Sequence, residues 1–317
     1  MKNYVKENNH IPVLLKEVIK FLKIKKNGIY IDCTFGTGGH SKQILKRIGK
    51  NGFLYSLDKD PSTIKYSKKI ISKNFKFIND SFKNLFKYTK KFKINKKVDG
   101  ILLDLGFSNN QIKNPNRGFS FMLDGPLDMR FNQKRGITAQ TWINSSNANE
   151  IQNVIKKFGQ EKFSKQISKN IVKYRKKKKI KSTLELSNII NKSIYKKNRK
   201  RNPSTKTFQA IRIHINKELK NIKKILEDSL KILSVTGRLL VISFNSLEDK
   251  IVKKFMKINS TKMFIPSKLP ITNTEINILN KGRRLKIFKK IKPSNIEINK
   301  NVKSRSAILR IAELINC

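Results

Sequence analysis

The sequence predicts an α/β fold: a Rossmann-like, mostly parallel sheet with an inserted helical domain. Three observations predict it. Short apolar runs alternate with helical patterns through the first hundred residues, which implies parallel strands covered on both faces. Three of those runs end in an acid, at Asp32, Asp58 and Asp104. The alternation then stops for about a hundred residues and resumes near Arg238.

Each element follows in order. Residues 13–22, after Pro12, have helical apolar spacing. Residues 29–33 predict a strand, 39–48 a helix and 52–57 a strand. Residues 61–72 predict a helix, with Asp60 as N-cap and Pro61 in its first turn. A short strand at 75–78 and a fully apolar strand at 99–105 complete the first half. A loop rich in Gly, Asn and Pro covers 106–136, and helical patterns follow at 148–158, 160–174 and 183–192. Two basic segments punctuate this stretch, Tyr174-Arg-Lys-Lys-Lys-Lys179 and Lys196-Lys-Asn-Arg-Lys-Arg201. A helix at 216–233, a strand at 238–244 and a helix at 247–259 restore the pattern, and 285–288 and 307–311 are two further strand candidates. The expected division is residues 1–108 plus 216–317 as the sheet domain and 109–215 as the insert. Ligands in open α/β sheets bind beyond the carboxyl ends of the strands, so an insert after the Asp104 strand would roof the site.

Composition narrows the class. The chain has 317 residues, enough for one large domain or two modest ones. No apolar run approaches a membrane span, and the first residues lack a secretory apolar stretch. Cys33 and Cys317 form no disulfide framework and no metal-ligand spacing, and His10 and His214 are too isolated to add one. A reduced, cytoplasmic protein without a metal is the expectation. The net charge of +51 favours a polyanionic partner, RNA or DNA. Lysine, asparagine and isoleucine are abundant throughout, however, as an A/T-rich genome would produce. Many of the lysines are therefore read as solvated faces.

The segment Ile29-Tyr-Ile-Asp-Cys-Thr-Phe-Gly-Thr-Gly-Gly-His-Ser41 carries the most chemistry. It reads as strand, glycine loop and helix start, where a ligand can sit against bare main chain. Gly36 and Gly38 fit the first two places of a dinucleotide fingerprint, but Ser41 occupies the third. No Gly-Lys-Ser/Thr follows, so a triphosphate cradle is disfavoured. Asp32 suits a ligand with a positive amino group, which favours S-adenosylmethionine over NAD. Asp58, at the end of the second strand, is where a ribose hydroxyl pair would be read. A purely structural glycine turn, with each Asp a cap or turn former, is the alternative. His40 reads equally as a cap or a cofactor contact. After Asp104, a carboxylate and freed carbonyls suit an exocyclic amine held towards a methyl donor. Phe119 and Phe121 read as core aromatics pinning a loop, with base stacking as the alternative.

Six motifs then occur together and in order: Ile31-Asp-Cys-Thr-Phe-Gly-Thr-Gly-Gly-His40, Ile101-Leu-Leu-Asp-Leu-Gly106, Arg117-Gly-Phe-Ser-Phe121, Asp124-Gly-Pro-Leu-Asp-Met-Arg130, Thr207-Phe-Gln-Ala-Ile-Arg212 and Ile242-Ser-Phe-Asn-Ser-Leu-Glu-Asp249. With them the chain resembles the ribosomal RNA small subunit methyltransferase H family (MraW), from His10 to Arg310. The resemblance implies a class I adenosylmethionine-dependent methyltransferase acting on N4 of a cytidine in the decoding region of 16S rRNA. Its inserted helical domain would take the RNA of the small ribosomal subunit. The implied cofactor contacts are Gly38, Gly39, His40, Asp58, Phe82, Asp104 and Gln111, to which the reading of the loop adds Asp32 and Gly36. Asp104 and Asn245 are the catalytic candidates. Arg117, Phe119, Asp128, Arg130, Lys206 and Arg212 are the RNA-contact candidates. Asn245 stands where the family usually has His, and Lys206 where it usually has Arg. Phe107-Ser-Asn-Asn-Gln111 replaces the usual Val-Ser-Ser-Pro-Gln. Asn245 is expected to position the amine in place of a base. Two alternatives stay open: a non-enzymatic relative serving as a ribosome assembly factor, and a DNA amino methyltransferase, against which the absence of a Pro-Pro-aromatic wall after Asp104 counts. Oligomeric state is open between monomer and homodimer.

Overall fold

The computed structural model describes residues 12–194, 202–260, 272 and 284–315. In chain order its main elements begin with α1 (Leu15–Leu22), β1 (Ile29–Asp32), α2 (Gly39–Leu45), β2 (Phe53–Leu57), α3 (Ile64–Ser67), β3 (Phe75–Ile78), α4 (Leu85–Lys91) and β4 (Val98–Leu105). Then come α5 (Asn109–Lys113), α6 (Ala139–Ser145), α7 (Ala148–Gly159), α8 (Ser164–Lys177), α9 (Thr183–Ser193), α10 (Ser204–Asn216) and α11 (Glu218–Ile232). The chain closes with β5 (Leu233–Ser243), α12 (Ser246–Ile258), β6 (Leu285–Ile287), α13 (Asn295–Lys300) and β7 (Ile308–Leu314).

Among the described residues the strands form one seven-stranded sheet in the order β3-β2-β1-β4-β5-β7-β6. The first five pair in parallel. β7 runs antiparallel to β5, and β6 antiparallel to β7. This is the Rossmann-like, mostly parallel sheet the alternation implied. The central strands read as nearly continuous apolar runs because helices cover both faces. Tyr30, Leu54, Leu102, Leu240 and Ile242 share one core with Val18 and Leu22 of α1. A Cβ at Gly100 would lie 2.7 Å from the Leu22 side chain and 2.9 Å from the Tyr30 ring, so only glycine lets α1 approach β4 this closely.

The chain divides into two compact units, residues 1–106 with 221–317, and residues 107–220. Unit 1 holds the sheet. Unit 2 is helical, with its own core of Leu127, Met129, Trp142, Ile155, Ile171 and Ile211 among others. Four of its helices start on side-chain caps: Ser108 accepts from the Gln111 N–H, Thr138 from Thr141, Asn147 from Glu150, and Ser182 from Glu185. Such caps satisfy backbone donors that the first turn leaves free.

Three predicted helices need correction. The helix expected over 61–72 is a 3-10 turn at Pro61–Thr63 followed by α3, which ends at Ser67. Asp60 does cap it, accepting from the Ser62 N–H at 2.9 Å. The remainder has no core to enter, and Ile71 is 98% exposed. The helix expected over 216–233 is the end of α10 and the whole of α11, separated by Lys217 in the left-handed region at φ 52°. The helix expected over 160–174 starts only at Ser164, because Gln160 is itself left-handed at φ 51°. Helices α4, α5, α6, α10 and α13 went unpredicted. In α4, only Leu85 and Thr89 are fully buried among lysines and half-buried aromatics, a weak periodic signal. The basic segment 196–201, His10 and Cys317 lie outside the described residues.

Candidate active site

Strand register brings the three acids to one face. Ser56, Asp32 and Leu102 form one row across β2, β1 and β4. Asp58 and Asp104 each lie two residues beyond that row. Side chains alternate along a strand, so Asp32, Asp58 and Asp104 share a side of the sheet, at the carboxyl ends. Asp58 and Asp104 straddle β1, two strand spacings or about 10 Å apart.

Between them runs the glycine loop. Gly36 and Gly38 both have positive φ, 56° and 81°. A Cβ on Gly38 would meet the Phe35 ring at 2.8 Å, and one on Gly39 would meet Pro12 Cγ at 2.4 Å. The Gly36 N–H donates to Asp58 Oδ2 at 2.8 Å, and the Asp60 N–H donates to Asp58 Oδ1 at 2.9 Å. Burial pushes the Asp58 carboxyl up to about 6, with those two N–H donors holding it down in part. The Asn79 amide donates to the Asp58 carbonyl at 2.8 Å, which ties the ends of β2 and β3 together. Just beyond β3, Asp80 accepts from the Ser81 N–H, the Asn84 amide and the Tyr88 hydroxyl, fixing the turn that carries half-buried Phe82.

Asp32 occupies a different place from the one expected. It is 1% exposed. Its carboxylate accepts from the Thr34 N–H at 3.1 Å and from the Ser41 hydroxyl at 2.6 Å, and Ser41 also meets Ser56 at 2.9 Å. Burial raises its carboxyl above the ordinary aspartate value, with the nearby His40 opposing. Asp32 therefore braces the loop from beneath.

Asp104 and His40 form the other end of the site. The His40 ring is 5% exposed, with Nε2 3.7 Å from Asp104 Oδ2. Neither ring nitrogen has a hydrogen-bond partner, and neither does Asp104 Oδ1, although all three atoms are buried. Such groups are costly to leave unmet and recur where a ligand supplies the missing partners. Asp104 is held by its main chain: its N–H donates to Thr34 Oγ1 at 2.7 Å, and the Gly106 N–H closes back on its carbonyl at 2.8 Å. Thr34 and Ser41 were not singled out from the sequence. Their signal is a hydroxyl two residues after a strand-end acid and another in the first turn of the following helix.

Asn245 lies at the start of α12. Its Oδ1 accepts from the Leu247 and Glu248 N–H groups at 3.1 and 3.0 Å. Buried Glu248 reaches back to the Phe244 and Asn245 N–H groups. This is a reciprocal capping box. The side-chain oxygen is thus committed to the helix, where a catalytic role had been expected.

The remaining candidates belong to unit 2. Gln111 is 7% exposed, and its Oε1 accepts from the Ser108 N–H at 3.0 Å in a second capping box. Arg117 is buried and donates to the Arg130 and Phe131 carbonyls. Arg130 grips Asp128 at both carboxylate oxygens, at 2.9 and 2.7 Å. Arg212 holds Glu218 in the same two-pronged way, 3.0 Å at each oxygen, and lies over the Phe107 ring. Lys206 Nζ donates to the Gln160 carbonyl at 3.2 Å and lies 3.7 Å from Glu161. Phe119 is 9% exposed and stacked between Phe107 and Phe131, the core reading rather than the base-stacking one. Expected as RNA contacts, these residues instead bind one another and the loops of unit 2. The guanidinium fork that suits phosphate also suits a carboxylate or a pair of carbonyls.

The sequence profile of the MraW methylase family matches residues 7–315. A protein from Buchnera aphidicola subsp. Acyrthosiphon pisum (strain APS), "Ribosomal RNA small subunit methyltransferase H", is 53% identical over 305 residues, 96% of this chain and 97% of that one. A protein of the same name from Wigglesworthia glossinidia brevipalpis is 53% identical over 304 residues, 96% of this chain and 98% of its own. Among solved structures, an rRNA methylase from Streptococcus thermophilus aligns with 96% of this chain and 99% of its own at 11% identity and a TM-score of 0.42, a remote likeness.

Proposed function

The chain belongs to the MraW methylase family, and from that premise we propose that it methylates N4 of a cytidine in the decoding region of 16S rRNA, with S-adenosylmethionine as donor. The observation that carries this reading is the His40 ring beside Asp104 next to the glycine loop, with both ring nitrogens and Asp104 Oδ1 buried and without a hydrogen-bond partner. These free donors and acceptors match a ligand rich in polar groups. When bound, S-adenosylmethionine supplies an electrophilic methyl group on a positively charged sulfur. Asp58 would hold the ribose hydroxyls, and the glycine loop with His40 would line the rest of the ligand. Phe82, in the turn after β3, would add a further contact. Asp104 would accept a hydrogen bond from the cytosine amine and so orient its nitrogen, a contribution of orientation and charge, the amine proton leaving to solvent once the new N–C bond has replaced the donor's C–S bond. The base must leave its stack to reach this strand end. Unit 2 recognises the RNA within the small ribosomal subunit, and the enzyme works in the cytoplasm. No helix among the described residues is long and apolar enough to cross a membrane.

The direct test incubates purified chain with labelled S-adenosylmethionine and small subunits lacking the mark, followed by nucleoside analysis. Label in N4-methylcytidine at the decoding region is expected. Folded protein that leaves no label there, or places it in another nucleoside, refutes the proposal.

A further inference from the structure

The candidates for RNA contact in unit 2 are consumed internally, yet one surface of that unit is left strongly basic. Helix α8 buries Ile167 and Ile171 in the unit's core. Lys165, Lys169, Lys173 and Lys176 are exposed on its other side, and Lys162 precedes them in the same line. At 3.6 residues per turn the four on α8 fall within about a quarter of the helix circumference, and Lys162 lies in the turn just before it. None has an ion pair or a side-chain hydrogen bond among the described residues. No acid occurs between Glu161 and Glu185.

Compositional drift alone does not account for this stripe. The exposed positions of α7 include Asn149, Glu150 and Asn153, and those of α9 include Leu184 and Asn188. The stripe also works against its own helix. α8 has no acid in its first turn and no side-chain cap, and Lys165 sits there against the positive end of the helix dipole. Lys165–Lys169, Lys169–Lys173 and Lys173–Lys177 are like-charge pairs at i, i+4, each mildly destabilising. Helix α12 carries lysines too, but it has a capping box and Glu248 and Asp249 in its first turn. The dipole explains Lys176 and Lys177 at the end of α8. It does not explain Lys162 and Lys165 at the start.

We propose that the α8 lysine stripe is the track on which the substrate's phosphodiester backbone lies. Successive lysines rise about 6 Å along the axis, the scale of neighbouring phosphates on a strand. A line of phosphates would relieve the repulsion that α8 bears when free. The helix's apolar residues are already buried in unit 2, which leaves it no face to insert into a membrane. The inference rests on the rRNA reading of the previous subsection and deepens it.

The test uses the full chain with Lys165, Lys169, Lys173 and Lys176 all changed to Gln, and a control with Lys250, Lys253, Lys254 and Lys257 of α12 changed to Gln. Both lose the same charge. Binding to 16S rRNA is titrated against salt. Loss of four phosphate contacts should flatten the slope of log K against log salt by about 3, so the variant's affinity should fall roughly 60-fold less than the parent's between about 50 and 200 mM salt. KM for small subunits should rise at least about tenfold, with unchanged S-adenosylmethionine affinity showing an intact sheet unit. The α12 control should keep most of the parent's slope. Equal flattening in both variants, or none in the α8 variant, overturns the proposal. So does α8-dependent binding to anionic phosphatidylserine vesicles without α8-dependent binding to rRNA. If the parent labels N4-methylcytidine while the α8 variant matches it at every salt, only the track fails. If the parent labels no rRNA, the functional reading itself has failed.

Discussion

Asp58 makes the cofactor reading quantitative. Its carboxyl sits at about 6, raised from the ordinary aspartate value of 3.8 chiefly by burial. Ribose hydroxyls donate best to the ionised form. S-adenosylmethionine affinity should therefore be flat above about pH 7 and fall as pH drops through 6. At pH 5 about one Asp58 in eleven remains ionised, an affinity loss of roughly tenfold or about 1.4 kcal/mol. Asp58→Asn removes the titration, so its profile should be flat. It also removes a charged acceptor, which lowers affinity at pH 8 by about 1.5–3 kcal/mol, roughly 10- to 150-fold. Stability moves the other way. A carboxyl whose folded pKa is raised contributes most when protonated, so that contribution is complete below about pH 3.8 and is lost as pH rises through 6. Above pH 6 the ligand-free Asn variant is spared this penalty, although it loses one of the two N–H bonds from Gly36 and Asp60. Calorimetric titration between pH 5 and 8 decides the matter. A parent Kd that does not change over that range, or a variant that titrates like the parent, refutes the reasoning.

Other outcomes follow from the same geometry. Asp104→Asn should lower kcat at least about a hundredfold with little change in S-adenosylmethionine Kd, measured by single-turnover methylation, because the charge of the amine's acceptor is lost while the loop stays. Asn245→Ala should cost about 1 kcal/mol in urea unfolding through loss of the α12 cap, and Asn245→Asp should restore it. Arg212→Ala leaves Glu218 without its two-pronged partner in a nearly buried setting, at 10% and 14% side-chain exposure. It should destabilise unit 2 by about 3–5 kcal/mol, read from denaturant unfolding of the full chain. Gly39→Ala drives a methyl group into Pro12 and should cost about 1–3 kcal/mol in a thermal or urea melt.

The strand ends were the most legible part of the sequence. Apolar runs closing on Asp32, Asp58 and Asp104 carry both the fold and the side of the sheet where a ligand would sit, because a strand's two-residue period leaves little freedom. What each acid does was less legible. Asp32 and Asp58 have the same local pattern, and only the packing of Ser41 and Ser56 beneath Asp32 separates a brace from a candidate contact. The arginines are a related case. Arg117, Arg130 and Arg212 stand out against the lysine background, and such prominence fits nucleic-acid recognition as well as internal anchoring. In unit 2 they turn inward, and the face of α8 that meets solvent is lysine. Asn245 was read through chemistry, yet its position directly before Ser246-Leu-Glu248 is a capping signature that sequence alone contained.

The central strands β4 and β5 pair over residues more than a hundred positions apart in the chain, with all of unit 2 between them. Joining two such strands closes a very long loop before any contact rewards it, and parallel pairings of this kind fold slowly. A unit that condenses on its own core shortens the effective loop. The order of events then matters: helices α6 to α10 collapsing early would draw the ends of β4 and β5 together, and late collapse would leave an unpaired β4 edge open to other chains. The β5-facing edge of the strand that carries Asp104 is therefore among the last parts of the sheet to be secured, and conditions that delay unit 2 should show first as aggregation during refolding rather than as lost activity in the native enzyme.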